Sequence, residues 1–482
     1  VRLATNSLYS LASQVLPLFV SLATIPLFVT ELGPARYGAL AIIWVLLGYF
    51  GAADFGISRA TAQRIASDTD GDDQRKAQAI WSAFLLVGAF GVVAGVVAWV
   101  AGVVYFGDAF EASDALTDEL AVAAWLLVPN IILAAAAGVA SGALLGSERF
   151  RLLAIGTVLS QTMSQIIPLA VAMASQETMA DLLTGILAGR AIGALFLFAA
   201  VAKVFLLGHR ISAVRAEMKG LLKYGSWVMV SSLVSPFMVT ADRIVIGAVL
   251  GAVAVAAYAI PFQVAYRTLA LPIALSQALF PRLAASDDEG ASRLNRDFAV
   301  FTALSFTPVI AGLIVLSGPL LKLWLGAALD PRSIIVGQIL LAGFWINAVA
   351  QVPFNYLQAR GNTRFTGILH LAELPLYLLL LAGLGYEFGL AGFATAFALR
   401  CLIDAAALFV RSGLIDNGTM SRLALPAMVV AVALAIATGL ELSAFASFTL
   451  AAMVVGASAV TAWTFMPDLL RSQIKQLVRS KA

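Results

Sequence analysis

Eight charged residues within or at the edge of apolar runs stand out as positions where the chain could do chemistry. Four are arginines, Arg190, Arg243, Arg267 and Arg400, and four are acids, Asp54, Asp242, Glu373 and Asp404. A charge at membrane depth is costly, so it normally faces a protein interior or a water-filled cavity and marks a working surface. Guanidinium presents a planar fork of donors that matches phosphate geometry. Arg267, between Tyr266 and Thr268, is the deepest of the four, and Arg190 and Arg400 also lie well inside their runs. Structural pairing is the competing role: Asp242 adjoins Arg243, and Asp404 follows Arg400 by four residues, on the same helix face. Glu373 precedes Pro375 and has His370 three residues before it, so a proton, a sodium ion or plain helix packing would each account for it. Asp54 lies five residues before Arg59 and suits either an inner gate or a helix-end role.

The elements that must hold these residues are membrane helices. Of 482 residues, 61% are hydrophobic and 12% charged, whereas soluble domains carry about 25% charged residues. Apolar runs repeatedly reach the roughly 20 residues needed to cross a bilayer as a helix. The 30 Lys and Arg are spread along the chain, which argues against a nucleic-acid partner. A single cysteine, Cys401, excludes an intrachain disulfide or a thiolate metal cluster and reads as a buried core thiol. No second histidine accompanies His370, there is no GxxxxGK[ST] loop and no His-Glu-x-x-His, and no large soluble domain is present, so neither a metal site nor an enzyme is expected. No cofactor is expected beyond a proton or sodium gradient.

Fourteen apolar runs are candidate spans: 8 to 30, 38 to 58, 79 to 106, 119 to 144, 152 to 173, 182 to 207, 224 to 246, 254 to 280, 299 to 321, 334 to 358, 365 to 385, 389 to 410, 423 to 442 and 446 to 465. With both termini inside, 23 of the 30 basic residues fall on the cytoplasmic side and only Arg36, Lys322 and Arg332 outside, as the positive-inside rule requires. Gly208 to Lys223, with Arg210, Arg215 and Lys219, reads as an interfacial helix attracted to anionic headgroups. Gly33, Pro34 and Gly38 permit a tight outward connection between the first two spans, with Tyr37 available as an interfacial anchor.

The chain also reads as built twice. Pro26 to Thr30 is similar to Pro236 to Thr240, and Gly146 to Phe150 to Gly361 to Phe365, at offsets of about six spans, a pattern common in secondary transporters. The expected organisation is therefore an all-α polytopic protein: a six-helix bundle over 1–207, a cytoplasmic linker over 208–223, a second, parallel bundle over 224–411, and two further helices with a basic tail over 412–482. The two bundles are expected to meet at a central cavity.

Several stretches resemble the polysaccharide transporter family, which includes O-antigen and other lipid-linked oligosaccharide flippases. It belongs to the superfamily that also holds multidrug and toxin extrusion exporters and the lipid II flippase. The similar stretches are Ile25 to Gly38, Asp54 to Arg59, Lys223 to Gly225, Asp242-Arg243, Ile246-Gly247, Gly251, Tyr258, Pro281-Arg282, Asn355, Gly361 and Arg364. The resemblance implies a flippase of the bacterial cytoplasmic membrane that works by alternating access for cell-surface polysaccharide synthesis. It implies a cationic cavity, with a lipid-linked oligosaccharide, membrane lipids and a polysaccharide polymerase and glycosyltransferases as partners. A drug or small-molecule exporter of the same superfamily is the alternative, and a non-transporting membrane scaffold is a more distant one.

Overall fold

In the computed structural model the described residues are 2–52, 56–67, 72–174, 178–440 and 443–465; side chains are described except at 2–8, 10–11, 51–52, 224–236, 277–278, 281, 463 and 465. Fifteen α-helices occur among them: α1 Arg2–Ala52, α2 Ile57–Ala66, α3 Asp73–Val104, α4 Asp114–Ala123, α5 Leu127–Gly146, α6 Phe150–Ala172, α7 Met179–Val201, α8 Arg215–Val249, α9 Gly251–Arg267, α10 Ala270–Ala285, α11 Asp288–Leu325, α12 Arg332–Ala359, α13 Thr363–Ser412, α14 Asn417–Gly439 and α15 Ala444–Phe465. Eleven helical stretches among the described residues are long and apolar enough to cross a bilayer. The protein is an all-α, multi-pass membrane protein.

Two of the longest helices hide a turn. α1 is broken at Gly33 (φ 74°, ψ 165°) and α13 at Gly389 (φ 57°, ψ −138°), backbone conformations that only glycine adopts without strain. In α13 the two arms fold back tightly, because Gly392 sits against the Leu384 carbonyl and Gly385 against the Phe393 ring. The apolar run 254 to 280, expected to be one span, is instead interrupted at Thr268 and Leu269 between α9 and α10. Pro272 explains the break: it lacks the N–H that would reach the Thr268 carbonyl, and the Thr268 hydroxyl turns back to the Ala265 carbonyl at 2.6 Å.

The chain forms two compact units, Val1–Ala256 and Ala257–Ala482. In the first, α7 lies along α6 through a stripe of small residues: Gly185 meets Pro168, Gly189 meets the backbone of Met163 and Ser164, and Gly193 meets Ser160. Membrane helices gain little from apolar burial alone, so close backbone approach over small residues is what lets them pack. At one end of this unit Arg36 pairs with Glu119, whose other oxygen accepts the Met179 N–H at the start of α7 (3.1 Å). α8 starts at Arg215, so the latter part of the 208–223 connection is helical and continuous with the rest of α8. The second unit is centred on a buried aromatic group, Phe262, Phe344 and Phe397, with Tyr266 at its edge. Trp345 ties α12 to α11 by donating to the Thr307 hydroxyl at 2.9 Å.

Candidate functional site

The turn at Gly389 explains why three of the candidate residues meet. Glu373 lies 16 residues before it and Asp404 15 residues after it, so at 1.5 Å per residue both stand about 23 Å down their arms of the hairpin. Arg400, one helical turn from Asp404, completes the group. Exposure is 3% for Glu373, 8% for Arg400 and 7% for Asp404. The Arg400 guanidinium lies over the rings of Tyr377 and Phe397, 5.5 and 5.3 Å from their centroids, and donates to the Cys401 sulfur at 3.4 Å. Cys401 is itself fully buried, as the sequence suggested.

The two carboxyl groups lie within hydrogen-bonding reach of each other, and the charge of Arg400 acts on both. Neither Glu373 oxygen, nor Oδ1 of Asp404, has a fixed donor among the described residues. Two carboxylates cannot hydrogen-bond without a proton between them. With one fixed cation and two acids, the neutral form of the cluster holds one proton. His370, stacked on Phe354 of α12 and half-buried, is in electrostatic reach of Asp404. Tyr377 and Phe397 were not singled out from the sequence, and Cys401 was read only as a core thiol; cation–π partners and a sulfur acceptor leave no charge signal to read.

Arg190 lies 210 residues before Arg400, at the offset expected of the repeat, and its surroundings differ. The same shift places Met163 where Glu373 stands and Ala194 where Asp404 stands. Arg190 is half-buried, its Nη1 is enclosed without a hydrogen-bond partner, and burial is the influence acting on it, with no acid in reach among the described residues. Arg267 ends α9 at the mid-span break and is exposed, where a cation also suits the helix C-terminus. Asp242 and Arg243 are both buried in α8, and the Arg243 N–H donates to Asp242 Oδ1 at 2.8 Å. Asp54 lies outside the described residues.

The motif around Asp242 has a structural explanation. Tyr105 donates to the Ile244 carbonyl at 2.7 Å, and Glu111 bridges α8 and α9 through its backbone, donating to the Gly247 carbonyl and accepting from Ala252, each at 3.0 Å. Gly247 leaves room for the Tyr105 hydroxyl, and Gly251, at φ 80°, for the Glu111 carbonyl. Gly38 packs against the Ala252 carbonyl, while Tyr37 is fully buried with its ring edge-on to Trp44. Gly33 and Pro34 make the bend of α1.

Residues 32–333 match the family model described as polysaccharide biosynthesis protein. A Shigella flexneri protein named "Putative O-antigen transporter" is 30% identical over 411 residues, covering 84% of this chain and 96% of that one. The chain belongs to the polysaccharide biosynthesis protein family. Its fold is shared more widely. A lipid II flippase MurJ in an inward closed conformation superposes with a TM-score of 0.73 at 18% identity, covering 97% of this chain and all of the other. An inward-facing multidrug resistance transporter of the MATE family gives 0.67 at 15% identity, covering 85% and 99%. Within this family member the acid cluster lies beyond the segment matched by the family model, whereas Arg190, Asp242, Arg243 and Arg267 lie inside it.

Proposed function

We propose that this protein translocates an oligosaccharide joined through phosphate or pyrophosphate to a polyprenyl lipid across the bacterial cytoplasmic membrane, by alternating access, for cell-surface polysaccharide synthesis. The observation that carries the reading is Arg190. Among the described residues no acid reaches this cation enclosed at mid-membrane, so it can serve an anion from outside the protein, and a phosphate-bearing headgroup supplies one with the geometry guanidinium prefers. Arg267, exposed at a mid-span helix break, is the second residue proposed to contact the head. Family membership and the O-antigen transporter relative support the lipid-linked sugar.

In this proposal Arg243 and Arg400 have other roles. Arg400 is the fixed countercharge of the Glu373 and Asp404 pair, which is the proposed coupling site; a guanidinium beside the two acids favours a proton over sodium as the ion bound there. The organisation proposed is fourteen spans, as two six-helix bundles over 1–207 and 224–411 joined by 208–223, followed by two helices over 412–482, with both termini cytoplasmic. A polymerase and glycosyltransferases acting on the same lipid-linked sugar are the proposed functional partners. Asp54 is retained as a gate residue.

Sealed vesicles containing the purified protein test the function. A fluorescent polyprenyl diphosphate-linked saccharide should become accessible to an external quencher faster than in protein-free vesicles. Transport of cationic drugs without movement of the lipid would replace this reading with export. Cysteines placed at Thr117, Glu148 and Ser212 test the topology: the first should label from outside and the other two from inside.

A further inference from the structure

α6 carries a polar face in the middle of the membrane that its packing against α1 and α7 accounts for only in part. Thr157, Gln161, Ser164 and Gln165 recur at the spacing of one helix face, while Ile155 and Ile166, both exposed, lie on another. Gln161 is the twelfth residue of the 23-residue α6, and Arg190 the twelfth of the 23-residue α7. Each therefore stands at the midpoint of a helix about 35 Å long. The glycine stripe fixes the register between them: Gly193 lies over Ser160, Gly189 over Met163 and Ser164, and Gly185 over Pro168. Arg190 thus shares its depth with the polar face.

Gln161 is exposed, and Ser164 and Gln165 are partly so. Gln165 is steadied by the Thr24 hydroxyl of α1, which donates to its Oε1 at 3.4 Å, and Ser164 donates to the Gln161 carbonyl at 3.0 Å. Polar side chains at this depth are costly toward hydrocarbon and characteristically face a bundle interior or a water-filled cavity. The isoleucines supply the lipid side, so the glutamines turn to the water side. The face is rich in donors and acceptors yet carries no charge, which matches the hydroxyl and acetamido groups of a sugar.

We infer that the Gln161, Ser164 and Gln165 face of α6 is a saccharide subsite, placed beside Arg190 so that the sugar next to the phosphate is read where the phosphate is held. This rests on the lipid-linked saccharide reading and adds the residues that recognise the sugar. Arg190 senses the anion common to all such lipids, and the α6 amides sense what is attached to it.

The test is equilibrium binding of purified protein in lipid nanodiscs to two probes, polyprenyl diphosphate bearing one N-acetylglucosamine and polyprenyl diphosphate alone. The wild type should bind the sugar-bearing probe more tightly. The double variant Gln161→Leu/Gln165→Leu, in which apolar side chains replace membrane-depth amides, should lose about tenfold for the sugar-bearing probe, two hydrogen bonds' worth, and less than about twofold for the bare diphosphate. Gln161→Asn alone should retain most of the sugar preference, and Arg190→Ala should weaken both probes together. Should the double variant elute as aggregate, Gln161→Met and Gln165→Met taken singly provide the same comparison. Equal affinity of the wild type for the two probes, or an unchanged preference in the leucine variant, overturns the subsite and leaves the flippase reading standing. Failure of the wild type to bind either probe overturns the flippase reading itself, and the subsite with it.

Discussion

The guanidinium of Arg64 forks across the carboxylate of Glu217, Nε to Oε2 at 2.9 Å and Nη2 to Oε1 at 2.8 Å, tying α2 to the first turn of α8. Close by, the Val214 N–H donates to the Ser82 hydroxyl at 2.9 Å, so the chain enters α8 already fastened to α2 and α3. The pair is partly exposed, 30% and 19%, which limits its worth to about 1 kcal/mol. Arg64→Lys, which keeps the charge and loses the fork, should recover only part of the coupling measured by a double-mutant cycle with Glu217→Gln.

Arg190 and Arg400 should respond oppositely to the same substitution. Arg190→Met removes an enclosed cation with no acid in reach among the described residues and should leave thermal stability unchanged or raised, while lowering affinity for polyprenyl diphosphate. Arg400→Met strips Glu373 and Asp404 of their countercharge and should cost about 3 kcal/mol or more, the usual penalty for breaking a buried pair. Adding Asp404→Asn should return part of that loss. Thermal unfolding of detergent-purified protein reads both, and equal destabilisation by the two methionines would reject the assignment.

Gly189→Val should separate α6 from α7. Any Cβ at this position meets the backbone of Met163 and Ser164, which cannot move aside as a side-chain tip can, so a loss of about 1 to 3 kcal/mol is expected. Gly88, with open space around it, provides the control: Gly88→Ala should be nearly silent in the same unfolding assay.

Asp416 caps α14, accepting from the Thr419 N–H at 2.9 Å and from its hydroxyl at 2.6 Å. These bonds favour the ionised form and hold its pKa below the usual carboxylate value. A depressed carboxyl contributes stability that is present above its ordinary value and is lost as pH falls through the lowered one. Asp416→Ala should therefore lower the unfolding midpoint at neutral pH, and the difference from wild type should close as the buffer is taken below that range.

The helices were legible because composition and run length report the bilayer directly, and Gly33 marked one place where a run had to turn. The charge cluster was half legible. Glu373, Arg400 and Asp404 stood out as charges in apolar surroundings, but their meeting depends on where α13 folds, and the aromatic and sulfur neighbours of Arg400 carry no charge to notice. The break before Ala270 was hidden inside a run whose hydrophobicity never falters, although Pro272 was in view. Least visible was the difference between Arg190 and Arg400, which lie 210 residues apart, at the offset expected of the repeat. It lies in Met163 and Ala194, apolar residues that draw no attention until the acids they replace are known. The polar face of α6 escaped for a related reason, since uncharged amides scarcely lower the average of a span.

The turn at Gly389 also bears on how the chain enters the bilayer. A helix bearing a lone charge at its centre pays roughly 2.5 to 3.5 kcal/mol for each such residue on insertion, and the two arms of α13 carry Glu373 on one side and Arg400 and Asp404 on the other. Because a single residue joins the arms, neither can be released sideways into lipid while the other waits. The hairpin favours delivery as one piece, with opposite charges already face to face when they leave water. Lengthening the turn by a few flexible residues would leave the folded cluster intact and still compromise biogenesis, because each arm would then meet the hydrocarbon alone.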